Sequence, residues 1–103
     1  MISWKRFRKN IPQSVKVLKQ AYEVLWQDEY ISGTNHGETR FDTHQIVLHN
    51  DADNKEVTST FLHEVFHAVS HEYEIGLTEP QVLKLEKALP DLIKIIQKLG
   101  EKK

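Results

Sequence analysis

The fold is decided by the stretch Thr60-Phe61-Leu62-His63-Glu64-Val65-Phe66-His67-Ala68-Val69, which lies just past the middle of the 103-residue chain. Apolar residues recur here three and four positions apart, which is the spacing of one face of a helix. That apolar stripe consists of Val57, Phe61, Val65 and Ala68/Val69. A second stripe, roughly opposite, consists of Thr60, His63, His67 and His71. The pattern predicts a helix that packs one face on a sheet and turns its histidines to a cleft.

Both ends of this helix carry sequence signals. Asp53 is followed three residues later by Glu56, which resembles a capping box with Asp in place of Ser or Thr. We therefore expect the helix to start at Asp53. Gly76 suits the left-handed residue that follows many helices, so we expect the helix to close near Glu74.

Within the helix, residues 63–67 read H-E-x-x-H. Residues four apart share a helix face, so His63 and His67 can offer two imidazoles to one metal ion. Glu64 lies beside them, where it can serve as the catalytic general base on an attacking water. The chain has no Cys, so His, Asp and Glu must supply every metal ligand. Two histidines and a carboxylate begin a hydrolytic Zn²⁺ site.

A tetrahedral catalytic zinc site needs a third protein ligand. The longer form of the motif, with glycine at position 70 and histidine at position 73, is excluded because the chain has Ser70 and Tyr73 there. The other source is a glutamate from the following helix. Glu79, in the first turn after a reversal at Gly76, is the favoured ligand, and Glu86, seven residues on, is the alternative. An acid in the first helical turn also offsets the helix dipole without any metal.

The C-terminal helix is predicted from its start signal and its periodicity. Thr78 and Gln81 form a second capping box, and Pro80 fits the first turn. The apolar stripe that follows consists of Val82, Leu85, Leu89, Leu92, Ile96 and Leu99. Its phase continues through Pro90, which predicts one long helix, kinked there and ended by Gly100. Ile93 and Ile95 lie off the stripe, which suggests self-association and a homodimer.

The sequence pattern of the N-terminal half predicts a small sheet. Residues 1–10 look like an arm with no periodicity, and residues 14–29 alternate in two runs, which favours two strands over a helix. The later elements are a loop at 32–37, a strand at 38–41, a turn at 42–44 and the best strand of the chain at Gln45–His49. The expected fold is α+β, with an antiparallel or mixed sheet of three to four strands packed on the motif helix and on a long C-terminal helix.

Three further residues are candidates for lining the cleft. His71 continues the histidine stripe, Tyr73 follows it, and His49 ends the strand expected nearest the helix. Each could contact a metal ligand or the transition state as an oxyanion donor. If Gln45–His49 is an edge strand, an extended peptide could pair with it and lie across the metal.

Composition and charge exclude several function classes. No apolar run approaches the roughly 18 residues of a membrane span, and the basic N-terminus is followed by no apolar signal segment, so we expect no membrane partner and a cytoplasmic protein. Residues 11–97 carry 7 basic and 14 acidic residues. A body of that charge repels phosphate, so no nucleic acid is expected. Both tails are basic, and the end at residues 98–103 could fold back over an acidic cleft and block it.

The order of these elements carries a resemblance. Residues 11–99 contain, in this order, a hairpin, Gly-Glu-Thr-Arg-Phe-Asp, an Ile-Val-Leu strand, Thr-Phe-Leu-His-Glu-Val-Phe-His-Ala-Val and Leu-Thr-Glu-Pro-Gln-Val. This resembles the minigluzincins, small HEXXH zinc metallopeptidases related to phage and prokaryotic proteins.

The resemblance implies that residues 11–103 form a single zincin-like metallopeptidase domain acting on a peptide or protein substrate. It implies His63, His67 and Glu79 as zinc ligands and Glu64 as general base. Small members lack the C-terminal subdomain of larger enzymes. The alternatives are therefore a non-catalytic zinc-binding or interaction module, or a precursor blocked by its C-terminal tail.

Overall fold

The computed structural model describes residues 2–28, 37–50 and 52–101. Its elements, in chain order, are α1 (Trp4–Lys9), β1 (Ser14–Val17), β2 (Gln20–Gln27), β3 (Gly37–Arg40), β4 (Gln45–His49), α2 (Asn54–Glu72) and α3 (Glu79–Glu101). A four-stranded mixed sheet and helices that follow it in sequence confirm the expected α+β fold. The part of the expected loop at 32–36 lies outside the described residues.

The sheet has the order β1-β2-β4-β3. β4 pairs in parallel with β2 and antiparallel with β3, so it is a central strand. The condition under which a peptide could pair with Gln45–His49, that this strand is at the edge of the sheet, is therefore not met. The physical reason is visible in its residues: Ile46, Val47 and Leu48 are fully buried, and a strand that is covered in this way reads as a continuous apolar run. The edge strand beside α2 is β3.

The hairpin of β1 and β2 forms although its turn lacks the usual residues. Leu18 and Lys19 connect the strands, with Val17 paired to Gln20, and Leu18 adopts a left-handed φ of 55° that Gly or Asn would adopt at lower cost. The strand alternation outweighs this cost because it buries Tyr22 and Val24 in the core. The core cluster also contains Val17, Ile46, Leu48 and Ala68, with Phe61, Val65 and Val69 packed against it.

The motif helix α2 begins as the sequence predicts, but the residue that ends it differs from the predicted one. The Asp53 side chain accepts a hydrogen bond from the Glu56 N–H at 2.8 Å, which caps the helix. At the other end, Ile75 N–H donates to the Ser70 carbonyl at 2.9 Å and Glu74 N–H donates to the His71 carbonyl at 3.3 Å. This is a Schellman motif, and its left-handed residue is Glu74, with φ 56°.

The expectation that Gly76 fills that position is therefore wrong. Gly76 does have a left-handed φ of 77°, but it lies two residues further on, inside the reversal that leads to α3. The two left-handed residues, Glu74 and Gly76, together turn the chain back so that α3 begins beside α2.

The long helix α3 is continuous through Pro90, as the stripe predicts, and it extends one residue past Gly100. Its capping box is reciprocal: Thr78 N–H donates to the Gln81 side chain at 2.8 Å, and Gln81 N–H donates to the Thr78 hydroxyl at 3.3 Å. Val82 and Leu89 are buried. The end of the stripe is exposed, because the helix runs past the body: Leu92, Ile96 and Leu99 are 41%, 64% and 65% exposed.

The N-terminal arm is a docked helix. α1 packs against α2, and its Arg8 guanidinium donates to the Ala52 carbonyl at 2.8 Å and to the Asn50 carbonyl at 2.9 Å. The six residues of α1 are too few to show a helical period in the sequence, which explains why the pattern did not predict it. Within the described residues, no helix is both long and apolar enough to cross a membrane.

Candidate metal centre

Three side chains from two helices meet in the cleft beside β3. α2 contributes His63 and His67, one turn apart, and the first residue of α3 contributes Glu79. The Nε2 atoms of the histidines are 3.2 Å apart. One Glu79 oxygen lies 2.7 Å from the Nε2 atom of His63, and the other lies 3.0 Å from that of His67. Their ligand atoms all lie within 4.8 Å of one another, so the group could hold a metal ion.

The geometry and the donor types of this group fit a tetrahedrally coordinated metal ion. Ligand atoms around a tetrahedral zinc ion lie roughly 3.3 Å from one another, given bonds of about 2.0–2.1 Å. The three separations here run from 2.7 to 3.2 Å, so small side-chain movements would open the group enough to admit an ion. Two imidazoles and one carboxylate are a ligand set found in zinc hydrolases.

Glu86, the alternative third ligand, contacts a different atom of the same histidine. Its carboxylate lies 2.7 Å from the Nδ1 atom of His63, on the side of the ring away from Glu79. A carboxylate at Nδ1 fixes the ring orientation and the tautomer that leaves the Nε2 lone pair free for a metal. Glu79 therefore lies where a third ligand would lie, and Glu86 contacts the far side of the His63 ring.

Glu64 is buried beside the group and held by the edge strand. The Thr39 hydroxyl, on β3, donates to Glu64 Oε1 at 2.7 Å and lies 3.1 Å from the Glu64 backbone carbonyl. Burial raises the pKa of Glu64 above its ordinary value, against the opposing effects of the Thr39 hydrogen bond and of His63 and His67. Such a carboxylate is a better general base near neutral pH than an exposed one.

The first residue of β3 brings the strand close to the motif helix. A Cβ atom added to Gly37 would lie 2.6 Å from the Thr60 methyl carbon and 2.9 Å from the Val47 carbonyl oxygen. Neither distance is tolerated by real Cβ atoms, so only glycine allows this approach. Because β3 lies this close to α2, Thr39 can reach Glu64 from two residues further along the strand.

A cleft of about 970 Å³ opens over these residues between β3, α2 and α3. Its acidic lining consists of Glu38, Asp53, Glu56, Glu64, Glu79 and Glu86, and Lys55 is the basic residue among those that line it. A smaller cavity of about 420 Å³ adjoins it and shares Phe41 and His67 with it. The excess of carboxylates favours a ligand with positive charge.

The three further candidates from the sequence lie in different places. His71 lines the smaller cavity beside His67 and stacks on Phe41, with ring centroids 4.4 Å apart. Tyr73 is the C-cap of α2, is 54% exposed and lines neither cavity. His49 is 1% exposed within the sheet and does not reach the cleft, because β4 is central and β3 stands between it and the opening. Of the three, only His71 borders the site.

The basic C-terminal end does not lie over the cleft where it is described. Lys98 is 19 residues beyond Glu79 on one continuous helix, which places it roughly 28 Å along the axis from the metal-binding group. Residues 102 and 103 lie outside the described part of the chain. The alternative in which residues 98–103 block the cleft is therefore not seen for Lys98.

Comparison with known proteins does not assign the chain to a family. No protein-family model, curated protein or solved structure matches this chain. Function is therefore argued from the geometry of the site.

Proposed function

We propose that this protein is a zinc-dependent metallopeptidase of the gluzincin type. The observation that supports it is the convergence of His63, His67 and Glu79 next to a buried carboxylate, Glu64, at the floor of an open cleft. A site that only stored a metal would not need a buried acid beside its ligands. In a hydrolase, that acid serves as the general base.

The residues of the chain divide the work as follows. His63, His67 and Glu79 would hold the ion, with Glu86 fixing the His63 ring through Nδ1. When bound, zinc supplies Lewis acidity and makes water a better nucleophile near neutral pH. Glu64 accepts the proton of the attacking water and passes it to the leaving amine. Thr39 keeps the carboxylate of Glu64 in position through its hydrogen bond.

The substrate in this proposal is an extended peptide that pairs with β3. This strand is the edge of the sheet, and Gly37, Glu38 and Thr39 line the cleft. An exposed strand edge binds a peptide through main-chain hydrogen bonds, which suits a protease because these bonds do not depend on sequence. The acidic lining of the cleft favours peptides with Lys or Arg near the scissile bond.

Metal analysis and peptide cleavage test the proposal together. The wild-type protein, Glu64→Gln and His63→Ala are purified, their zinc content is measured by mass spectrometry, and each is incubated with a peptide library. We expect one zinc per chain in wild type and in Glu64→Gln. Cleavage should fall at least about a hundredfold in Glu64→Gln, because a general base contributes this much or more. His63→Ala should lose both metal and cleavage.

The outcomes separate the alternatives. Zinc bound by wild type without any cleavage would indicate a non-catalytic zinc-binding module. Cleavage that is unchanged in Glu64→Gln would contradict the proposal, since it would come from a contaminant or from another site. Removing residues 98–103 should leave cleavage unchanged if the tail does not block the cleft.

A further inference from the structure

The far end of α3 carries an apolar surface that the fold does not use. Leu92, Ile95, Ile96 and Leu99, here called the overhang face, are 41%, 55%, 64% and 65% exposed. At 100° per residue, these four side chains fall within an arc of about 100° on one side of the helix. Four large apolar residues on one exposed arc form a patch, which differs from the single exposed apolar residues of ordinary surfaces.

The overhang face is distinct from the face that packs on the protein body. Val82 and Leu89 point to the body, roughly 80° around the helix from the centre of the overhang face. On that body side, at the level of the overhang, Ile93 is half-buried. The exposed residues therefore do not simply continue the apolar stripe that packs on the body. They form a second apolar side that needs another partner.

Charge next to the overhang face indicates which partner fits. Asp91 and Lys98 lie two turns apart on the same edge of the face, next to Ile95, and both are exposed. When two identical helices pair antiparallel about a two-fold axis, the same edge of each helix adjoins the other. Asp91 of one copy then meets Lys98 of the second copy, and the symmetry forms this pair twice. A parallel pair would instead place this edge against the other edge of the face, at Ile93 and Gly100, which carry no charge.

We propose that a second copy of this chain packs antiparallel on the overhang face through its own α3. The patch exposes on the order of 400 Å² of apolar surface per copy, which is the size of the largest apolar patch on a typical monomer, and such patches are often functional. Two such patches would bury on the order of 800 Å², which is the size of a weak and transient interface. The dimer should therefore be weak, and the fraction of dimer should depend on protein concentration. Both clefts stay open, because the metal-binding group lies at the opposite end of α3.

Analytical ultracentrifugation over a concentration series tests the pairing. Wild type should change from monomer to dimer as concentration rises. Ile96→Glu should raise the dimer dissociation constant at least about tenfold, because the interface would bury two charges. Gln97→Glu is the matched control: it adds the same charge at the neighbouring residue but on the opposite side of the helix, and it should dimerise like wild type. Because both positions are exposed, circular dichroism should show an unchanged fold in each.

A charge exchange tests the orientation. Asp91→Lys alone and Lys98→Asp alone should each weaken dimerisation about threefold to tenfold, since two like-charged contacts replace two attractive ones. The double exchange should restore the wild-type constant. A wild type that stays monomeric at every concentration would overturn the proposal, and so would equal effects of Ile96→Glu and Gln97→Glu. A double exchange that fails to restore pairing would overturn the antiparallel arrangement.

Discussion

His63 illustrates how one side chain can be shared between two acids. Its Nε2 faces Glu79 at 2.7 Å and its Nδ1 faces Glu86, also at 2.7 Å. A histidine whose Nδ1 proton is held by a carboxylate is more basic at Nε2. Its ring is also already oriented, so it loses less conformational entropy when it binds a metal. The two glutamates, seven residues apart on α3, thus contact different atoms of His63, although both were candidates for the same ligand position.

Removing Glu86 should weaken metal binding without removing a ligand. Loss of such a partner lowers metal affinity about 10- to 100-fold, so we expect this range for Glu86→Ala and a smaller loss for Glu86→Gln, whose side chain still accepts a hydrogen bond. Competition titration with a chelator measures the affinity. Glu38→Ala, which removes a cleft carboxylate that does not touch the ligands, is the control. If Glu86→Ala and Glu38→Ala change the metal affinity equally, Glu86 does not position His63.

Tyr22 connects the sheet to the end of α2. Its hydroxyl donates to Glu72 at 2.6 Å, and burial together with this contact raises the pKa of Tyr22 above its ordinary value of 10. Since the folded state holds the proton more tightly, the unfolded state ionises first, and stability should fall as pH rises above about 10.

Tyr22→Phe tests this linkage. The variant should lose about 1–2 kcal/mol near neutral pH, because a hydrogen bond to a charged acceptor disappears. It should also lose part of the decline in stability above pH 10, since the group that ionises is gone. Urea unfolding at neutral and at alkaline pH measures both effects. The same alkaline decline in wild type and variant would show that Tyr22 does not cause it.

At the scale of elements, the turn from α2 to α3 determines whether Glu79 can reach the histidines. Glu74 occupies a left-handed position at the end of α2 that favours glycine. We expect Glu74→Gly to stabilise the protein by up to about 1 kcal/mol, because the strain at this residue disappears and outweighs the greater freedom of the unfolded chain. Thermal or urea unfolding measures the change, with Glu74→Ala as a control that keeps the Cβ atom. A destabilised Glu74→Gly would contradict the assignment.

The elements also show what could be predicted from the sequence and what could not. The start of α2 and the capping box at Thr78 follow from local signals, because each depends on residues three positions apart. The approach of Glu79 to His67, 12 residues away, follows from a single reversal between neighbouring helices. The central position of β4 and the contact of Thr39 with Glu64 do not, because they depend on residues about 20 to 25 positions apart. Alternation specifies that a strand exists but not which strand it pairs with.

The same limit explains the incorrect placement of His49. Its position at the end of a strand was predicted correctly, but whether that strand is central or at the edge of the sheet depends on strand order. Ile95 was recognised as lying off the stripe, whereas the exposure of Leu92, Ile96 and Leu99 was not predicted. Helical periodicity identifies an apolar face, and only the packed structure shows where the body ends.

For the whole molecule, metal removal should lower stability if the ion binds only the folded chain. At a free zinc concentration about 100 times the dissociation constant, binding adds about 2.7 kcal/mol. For a chain of 103 residues, that corresponds to a decrease in melting temperature of roughly 10–20 °C on chelation. Differential scanning calorimetry with and without chelator measures it. His63→Ala should show no such difference, and an unchanged wild type would argue against a metal that is bound in the native state.

All three proposed ligands come from a span of 17 residues, from His63 to Glu79, across one reversal of the chain. The loop that an ion would close between His67 and Glu79 is short, so its closure entropy is small. Metal capture therefore does not have to wait for the long-range pairing of β2 with β4, which is the slow kind of contact in folding. An ion available during refolding would act on the transition state for folding and would increase the refolding rate, beyond slowing the unfolding of the finished protein.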